Sequence, residues 1–212
     1  MKNLIFNLAA FLILGGIAAG VIFGLAGRWD LWNIWAYVGL LVVGVTLADY
    51  RRSPDALKGR SKRTDPGRKS RGFFLGLTLL QWITVGLDHR FHWSNVIPPS
   101  GMSVGLVIFA VGWGLYDWAK SVNPFFQEER GQRVISDGPY SIMRHPANVG
   151  FLLVAIGSPL ALDSLLAFIP TVFQMANLVT TTTIEDRRLH NELAGYADYV
   201  AKVRYRLIPG IW

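Results

Sequence analysis

Long apolar runs separated by polar connections dominate this chain, and they are too long and too evenly apolar for half-buried strands or one-sided helices. LIFNLAAFLILGGIAAGVIFGL, residues 4–25, has one polar side chain, Asn7, in 22 positions. Such a run crosses ~30 Å of hydrocarbon at a helical rise of ~1.5 Å per residue. LWNIWAYVGLLVVGVTLA (31–48), GFFLGLTLLQWITVGL (72–87) and GMSVGLVIFAVGWGLYDWA (101–119) repeat the pattern, with tryptophans near several ends where interfacial anchors belong. The next run, VGFLLVAIGSPLAL (149–162), has 14 residues, contains Pro159, and is followed by Asp163-Ser164 and then LLAFIPTVFQMANLVTTTT (165–183). Fourteen helical residues reach only ~21 Å, so this pair predicts a helical hairpin that barely crosses the bilayer or stops short of it. The expected fold is all-α and polytopic, with four long transmembrane helices followed by the hairpin.

Beyond the hairpin, IEDRRLHNELAGYADYVAKVRYRL places Leu189, Leu193, Tyr196, Val200 and Val203 at helical spacing with charges between them. This predicts one amphipathic helix on the cytoplasmic side, ended by Pro209 and Gly210. Its continuation would set Lys202 and Arg206, at i and i+4, on one face with Tyr199. The organisation is a transmembrane region, 1–119, with a basic loop at 49–71, integrated with a loop, hairpin and tail over 120–212.

Charge sets the orientation. Lys2, nine Lys/Arg in 51–71, four in 120–144 and five after 186 make 19 of the 21 basic residues. Only Arg28 and Arg90 fall in the alternate loops. By the positive-inside tendency both termini and the two polar loops face the cytoplasm. The net charge of +7 is therefore juxtamembrane charge suited to anionic headgroups rather than a nucleic-acid footprint. With 51% hydrophobic and 17% charged residues, the composition favours lipid exposure. Cysteine is absent, which excludes disulfides, thiolate metal sites and a cysteine nucleophile. No cleavage motif follows Lys2, so the first run reads as a retained span.

The most polar cluster sits at the edge of an apolar run. In GPYSIMRHPANVG, 138–150, the prolines restrict the turn, and the residue before Pro146 is biased away from helix. Arg144 and His145 therefore approach the membrane in a fixed, non-helical conformation. Tyr140, Arg144 and His145 stand on one side of the hairpin, Glu185 and Asp186 on the other, and a hairpin brings its two ends together. A mixed-charge cluster at the cytoplasmic interface suits a polar ligand carrying an amine and a carboxylate. The alternative is a helix start with basic interfacial residues.

GPYSIMRHPANVG, an apolar hairpin, IEDRRL and ELAGYADYVAKVRYRLIPGIW, in that order, resemble the isoprenylcysteine carboxyl methyltransferase family, in particular its bacterial members. NPFF (123–126) and ERGQRV (129–134) extend the resemblance upstream. The resemblance implies a membrane enzyme that uses S-adenosylmethionine at the cytoplasmic face. By the same likeness Tyr140, Arg144, His145, Pro146, Asn148, Glu185 and Asp186 contribute to the cofactor pocket. Lys202, Arg204 and Arg206 would face the acceptor's polar group. Gln132 stands where the family usually has histidine, Asn148 where it has tyrosine, and Lys202 where arginine is common; a lysine cannot clamp a carboxylate in bidentate fashion.

The implied chemistry needs few polar groups. A sulfonium methyl is strongly electrophilic and an ionised carboxylate needs no base, so alignment and desolvation suffice. An amine acceptor would need one, for which Glu185, Asp186 or His145 are available. The acceptor is expected to be lipophilic and to enter from the bilayer; phospholipid N-methyltransferases share the Arg-His-Pro triplet and are the alternative among enzymes, and a non-catalytic scaffold is the reading from another class. Localisation would be a bacterial inner membrane. Among weaker signals, the Gly-x-x-x-Gly pair in GGIAAG (15–20) reads as helix packing. His89-Arg90-Phe91-His92 reads as a solvated outer loop rather than a metal site, Asp117 as an interfacial acid, and His190 as an exposed tail residue. No metal and no nucleic acid are expected.

Overall fold

The computed structural model describes residues 2–50, 67–123 and 134–212, with side chains from 12 to 47, at 70, and in 72–123 and 134–212. The segments NPFF (apart from Asn123) and ERGQRV (apart from Val134), Gln132 and most of the basic loop 49–71 lie outside the described residues. Seven α-helices and one 3-10 turn make up the described chain: α1 (Lys2–Ala26), α2 (Trp32–Tyr50), α3 (Gly67–Phe91), α4 (Pro99–Val122), the turn Gly138–Ser141, α5 (Pro146–Ala161), α6 (Phe168–Glu192) and α7 (Tyr196–Lys202).

Among the described residues, α4 is the one helix long and apolar enough to cross a membrane by length and composition. Shorter apolar helical stretches run over Leu12–Ala26, Trp32–Leu47 and Pro146–Ala161. α3 is as long as α1 but bears Arg and Lys at its start and Asp88, His89 and Arg90 at its end. Apolar side chains at Ile13, Trp35, Val107, Val111, Val172 and Phe173 point outward, while Ile22, Phe23, Ile34, Val85 and Phe109 form the interior.

α4 and α5 form the most extensively packed pair, and the reason is a glycine ladder. A Cβ on Gly150 would lie 2.6 Å from the Gly112 carbonyl oxygen, and one on Gly157 2.6 Å from the Phe109 amide nitrogen. Gly105 and Gly112 accept the α5 backbone in the same way. Close backbone approach of this kind lets helices associate where burial in water is not the driving force. The Gly-x-x-x-Gly pair of the first run does not act so. Gly16 and Gly20 meet open space on the outer face of α1, and it is Gly15 that packs against Val42 of α2. Polar side chains fasten α3 to α6 in the interior: Gln81 donates to Thr171 (2.7 Å) and Gln174 to Thr78 (3.2 Å).

At the end away from the Arg-His-Pro turn, Asp88 accepts the Ser94 amide (2.7 Å) and the Ser164 hydroxyl (2.5 Å). The His89 ring lies 2.8 Å from the Leu162 carbonyl oxygen and is buried at the end of α3. The reading of 89–92 as a solvated loop is thus corrected for His89, which ties α3 to the α5–α6 connection, while His92 is exposed.

The tail differs from a single rod. Leu189, Leu193, Tyr196, Val200 and Val203 do cluster, but Gly195, at φ 80°, breaks the helix between α6 and α7. α7 ends at Lys202 and Val203 is extended. Lys202 and Arg206 therefore do not share a helical face, because the chain between them is not helical.

Candidate active site

Gly138, at φ 56°, opens the 3-10 turn that buries Tyr140. The Tyr140 carbonyl accepts the Tyr199 hydroxyl (2.7 Å), and its own phenol bonds the Asn123 side chain. Burial, with the Glu185 charge behind it, pushes the Tyr140 phenol well above its ordinary value. Pro146 occupies the first turn of α5, where its missing N–H costs no helical bond. His145 caps the helix in a non-helical conformation, φ −126° and ψ 60°. The extended approach leaves the Arg144 and His145 amides without helical partners. The tail supplies them, at the Tyr205 carbonyl (2.9 Å) and the Arg206 carbonyl (3.0 Å).

Asp186 is the centre of the cluster. Arg144 Nη1 donates to both of its carboxylate oxygens (2.9 and 3.0 Å), Tyr196 donates its hydroxyl (2.9 Å) and Arg206 its Nε (2.9 Å). His145 Nε2 lies 3.2 Å from the same carboxylate, while its Nδ1 lies 3.9 Å from Glu185 Oε2. Burial pushes the Asp186 carboxyl up, but the His145 contact, the Arg144 charge and the Tyr196 hydroxyl outweigh it and hold the group well below the usual carboxylate range. The Tyr196 and Tyr199 phenols are pushed well above theirs, by burial first and then by the Asp186 charge.

Beside this hub Asn123, Tyr140, Arg144, His145, Ala147, Asn148, Glu185 and Leu189 line a small cleft that is partly open to solvent. Asn148, in the cleft lining, donates its Nδ2 to the Thr182 hydroxyl (2.9 Å). Arg144 Nε is buried without a hydrogen-bond partner, and Glu185 keeps a quarter of its side chain exposed. A buried donor and an accessible carboxylate at one cleft fit a ligand carrying both an acceptor and a cationic group.

Residues 102–194 match the family model of phospholipid methyltransferases. The match runs from α4 through the Arg-His-Pro turn and α5 into α6, so it contains Tyr140, Arg144, His145, Pro146, Asn148, Glu185 and Asp186. It points to methyl transfer at a membrane. A comparison with curated proteins gives no match.

Of the seven residues assigned to the cofactor pocket by resemblance, Tyr140, Arg144, His145, Asn148 and Glu185 line the cleft, Asp186 is bonded to Arg144 and His145 beside it, and Pro146 begins α5. The three assigned to the acceptor do not line it. Lys202 and Arg204 are exposed outside the cleft lining, and Arg206 is engaged with Asp186. Tyr196, Tyr199 and Asn123 belong to the site's framework; they lie in segments that carry the resemblance, but no site role was assigned to them from sequence. The available signal was chemical: a tyrosine on a buried stripe needs a partner for its hydroxyl.

Proposed function

We propose that the chain is a polytopic membrane methyltransferase that takes its methyl group from S-adenosylmethionine and passes it to a lipophilic acceptor. The observation that carries this reading is the convergence of Arg144 and His145 from one end of the α5–α6 hairpin with Glu185 from the other at a single cleft, with Asp186 bonded to Arg144 and His145 beside it. S-adenosylmethionine supplies an electrophilic methyl group on sulfur when bound. Glu185 would meet its ammonium group, the buried Arg144 Nε one of its polar acceptors, and the Asn148 carbonyl oxygen one of its donors. Asp186 keeps Arg144 and His145 oriented, and Leu189 and Ala147 exclude water beside them, the condition under which alignment and desolvation lower the barrier. The four-span topology, cytoplasmic site and bacterial inner-membrane location belong to the same reading: the first rests on the apolar runs, the second on the distribution of basic residues, and the third on the resemblance to bacterial members.

Resemblance to isoprenylcysteine carboxyl methyltransferases favours a carboxylate acceptor held by Lys202, Arg204 or Arg206. An amine acceptor is the second reading, and a specific observation favours it. Arg206 already serves Asp186, whereas Glu185 stands at the cleft with its carboxylate partly exposed. A carboxylate there can take a proton from an amine during attack.

The test is cofactor binding by the full chain in detergent. His145→Ala and Glu185→Gln are each expected to weaken S-adenosylmethionine binding at least ~10-fold, the scale of one charge-assisted hydrogen bond. His190→Ala, on an exposed position of α6, should leave it unchanged. Wild type that binds no cofactor would instead identify a non-catalytic scaffold. With radiolabelled cofactor, base-released methanol reports a methyl ester, and a base-stable product an N-methyl group.

A further inference from the structure

We infer that the tail segment 203–212 is a docking surface for the anionic lipid of the cytoplasmic leaflet. Three features carry the inference. On the membrane reading proposed above, on which this inference rests, the segment is anchored at the membrane edge, because its carbonyls at 205 and 206 receive the Arg144 and His145 amides immediately before α5. The level is marked by Trp118, which is half exposed near the end of α4, with its ring nitrogen 3.5 Å from where a Cβ on Gly138 would lie. Apolar side chains of the segment then point outward: Tyr205, Ile208 and Ile211 are exposed, Ile211 at 78%.

Exposed apolar groups at that level have acyl boundary as their natural surroundings. Lys202 and Arg204 flank them and are exposed, so the surface is apolar at its centre and cationic at its margin. That complements a leaflet with negative headgroups, where each basic residue near the surface contributes about a fivefold weighting of the docked state. Arg206 is the exception among the tail's cations, since it turns inward to Asp186. The docking surface and the candidate site are thus joined through Arg206, through two backbone hydrogen bonds, and through the Arg144 guanidinium, which donates to the Arg204 carbonyl (3.3 Å). A soluble protein partner is the competing occupant.

The absence of cysteine makes a single-site probe clean. The full chain carrying Ile211→Cys with a spin label would be reconstituted in phosphatidylcholine vesicles with and without phosphatidylglycerol. Collision with oxygen and with a water-soluble nickel chelate is then compared against a label at Asp198→Cys, an exposed position of α7. The label at 211 is expected to be shielded from nickel and accessible to oxygen, more so with phosphatidylglycerol, while the label at 198 stays open to nickel. Lys202→Gln with Arg204→Gln should weaken the phosphatidylglycerol effect by roughly 25-fold in the docked-to-undocked ratio. Ile208→Cys gives a second reporter if the label at 211 disturbs the tail. Labels at 211 and 208 as open to nickel as that at 198, in both lipids, would overturn the inference, as would a phosphatidylglycerol effect indifferent to removal of both charges.

Discussion

Replacing Asp186 by asparagine keeps the size of the side chain and removes the charge that four groups share. In the wild type Arg144 and Arg206 approach its carboxylate at 2.9 Å each, Tyr196 at 2.9 Å and His145 at 3.2 Å. Arg144 is buried, 7% exposed, so without the carboxylate its guanidinium loses its bonded counter-charge where solvation is poor. Breaking a buried pair by removing one partner costs about 3–5 kcal/mol, which for a chain of this size lowers the unfolding midpoint by roughly 6–20 °C. The control is Asp30→Asn. Arg28 holds the Asp30 carboxyl down to about 2 through a hydrogen bond, yet both side chains stand in solvent, 44% and 69% exposed. Such a pair exchanges one solvated arrangement for another, and its loss should leave the midpoint unmoved. Tyr196→Phe should fall between, losing one hydrogen bond to a charged acceptor, about 1.5–3 kcal/mol.

The same comparison has a pH signature. The folded Asp186 carboxyl sits below its unfolded value of about 3.9. Its contribution is therefore present above that value and is lost as pH falls through the folded one. Thermal unfolding of the full chain in detergent, followed from neutral pH to below pH ~4, should show the gap between wild type and Asp186→Asn closing on the acid side. An Asp186→Asn midpoint that coincides with that of Asp30→Asn at neutral pH would refute the assignment of Asp186 as a buried hub.

Other consequences are more quickly stated. Gly150→Ala and Gly157→Ala should each cost about 1–3 kcal/mol by overpacking the α4–α5 contact, whereas Gly16→Ala and Gly20→Ala, which meet open space, should leave the unfolding midpoint unchanged or raise it slightly. A reporter fused after Trp212 should be active on the cytoplasmic side and inactive outside, given 19 of the 21 basic residues on that side. Arg206→Met should lower both stability and cofactor affinity through Asp186, while Lys202→Met should spare both; if Lys202 instead held a carboxylate acceptor, turnover alone would fall in that variant.

The sequence was legible where one physical rule acts alone. Pro146 dictates an extended Arg144-His145 approach whatever surrounds it, and the hairpin between 149 and 183 brings that approach to Glu185 and Asp186. Periodicity likewise placed Leu189, Leu193, Tyr196, Val200 and Val203 on one apolar cluster. It failed on their geometry, because the pattern of a helix folded back at Gly195 is nearly that of a straight one, and φ 80° at a glycine leaves no trace in spacing. The α4–α5 glycines were missed for a related reason. Gly105 and Gly112, like Gly150 and Gly157, are seven apart, and a glycine's role depends on what faces it, which only the packed pair reveals. Gly16 and Gly20 have the better-known spacing and nothing opposite them.

Arg206 shows why the acceptor side resisted inference most. From sequence it is one of several cations in a basic tail, equivalent to Lys202 and Arg204. Its distinction comes from a long-range demand. Burial alone would favour the protonated Asp186 carboxyl, and α6 supplies no donor of its own to prevent it. The donors come from the Arg-His-Pro turn, from Tyr196 on α7 and from Arg206 in the tail. The last two lie beyond the 102–194 segment that matches phospholipid methyltransferases. The charge state of the acid behind the cleft is thus set partly by residues outside that segment, and Arg206, with its Nε committed there, keeps only its Nη groups for a substrate carboxylate. This is the physical ground for weighing an amine acceptor against the carboxylate that resemblance alone implies.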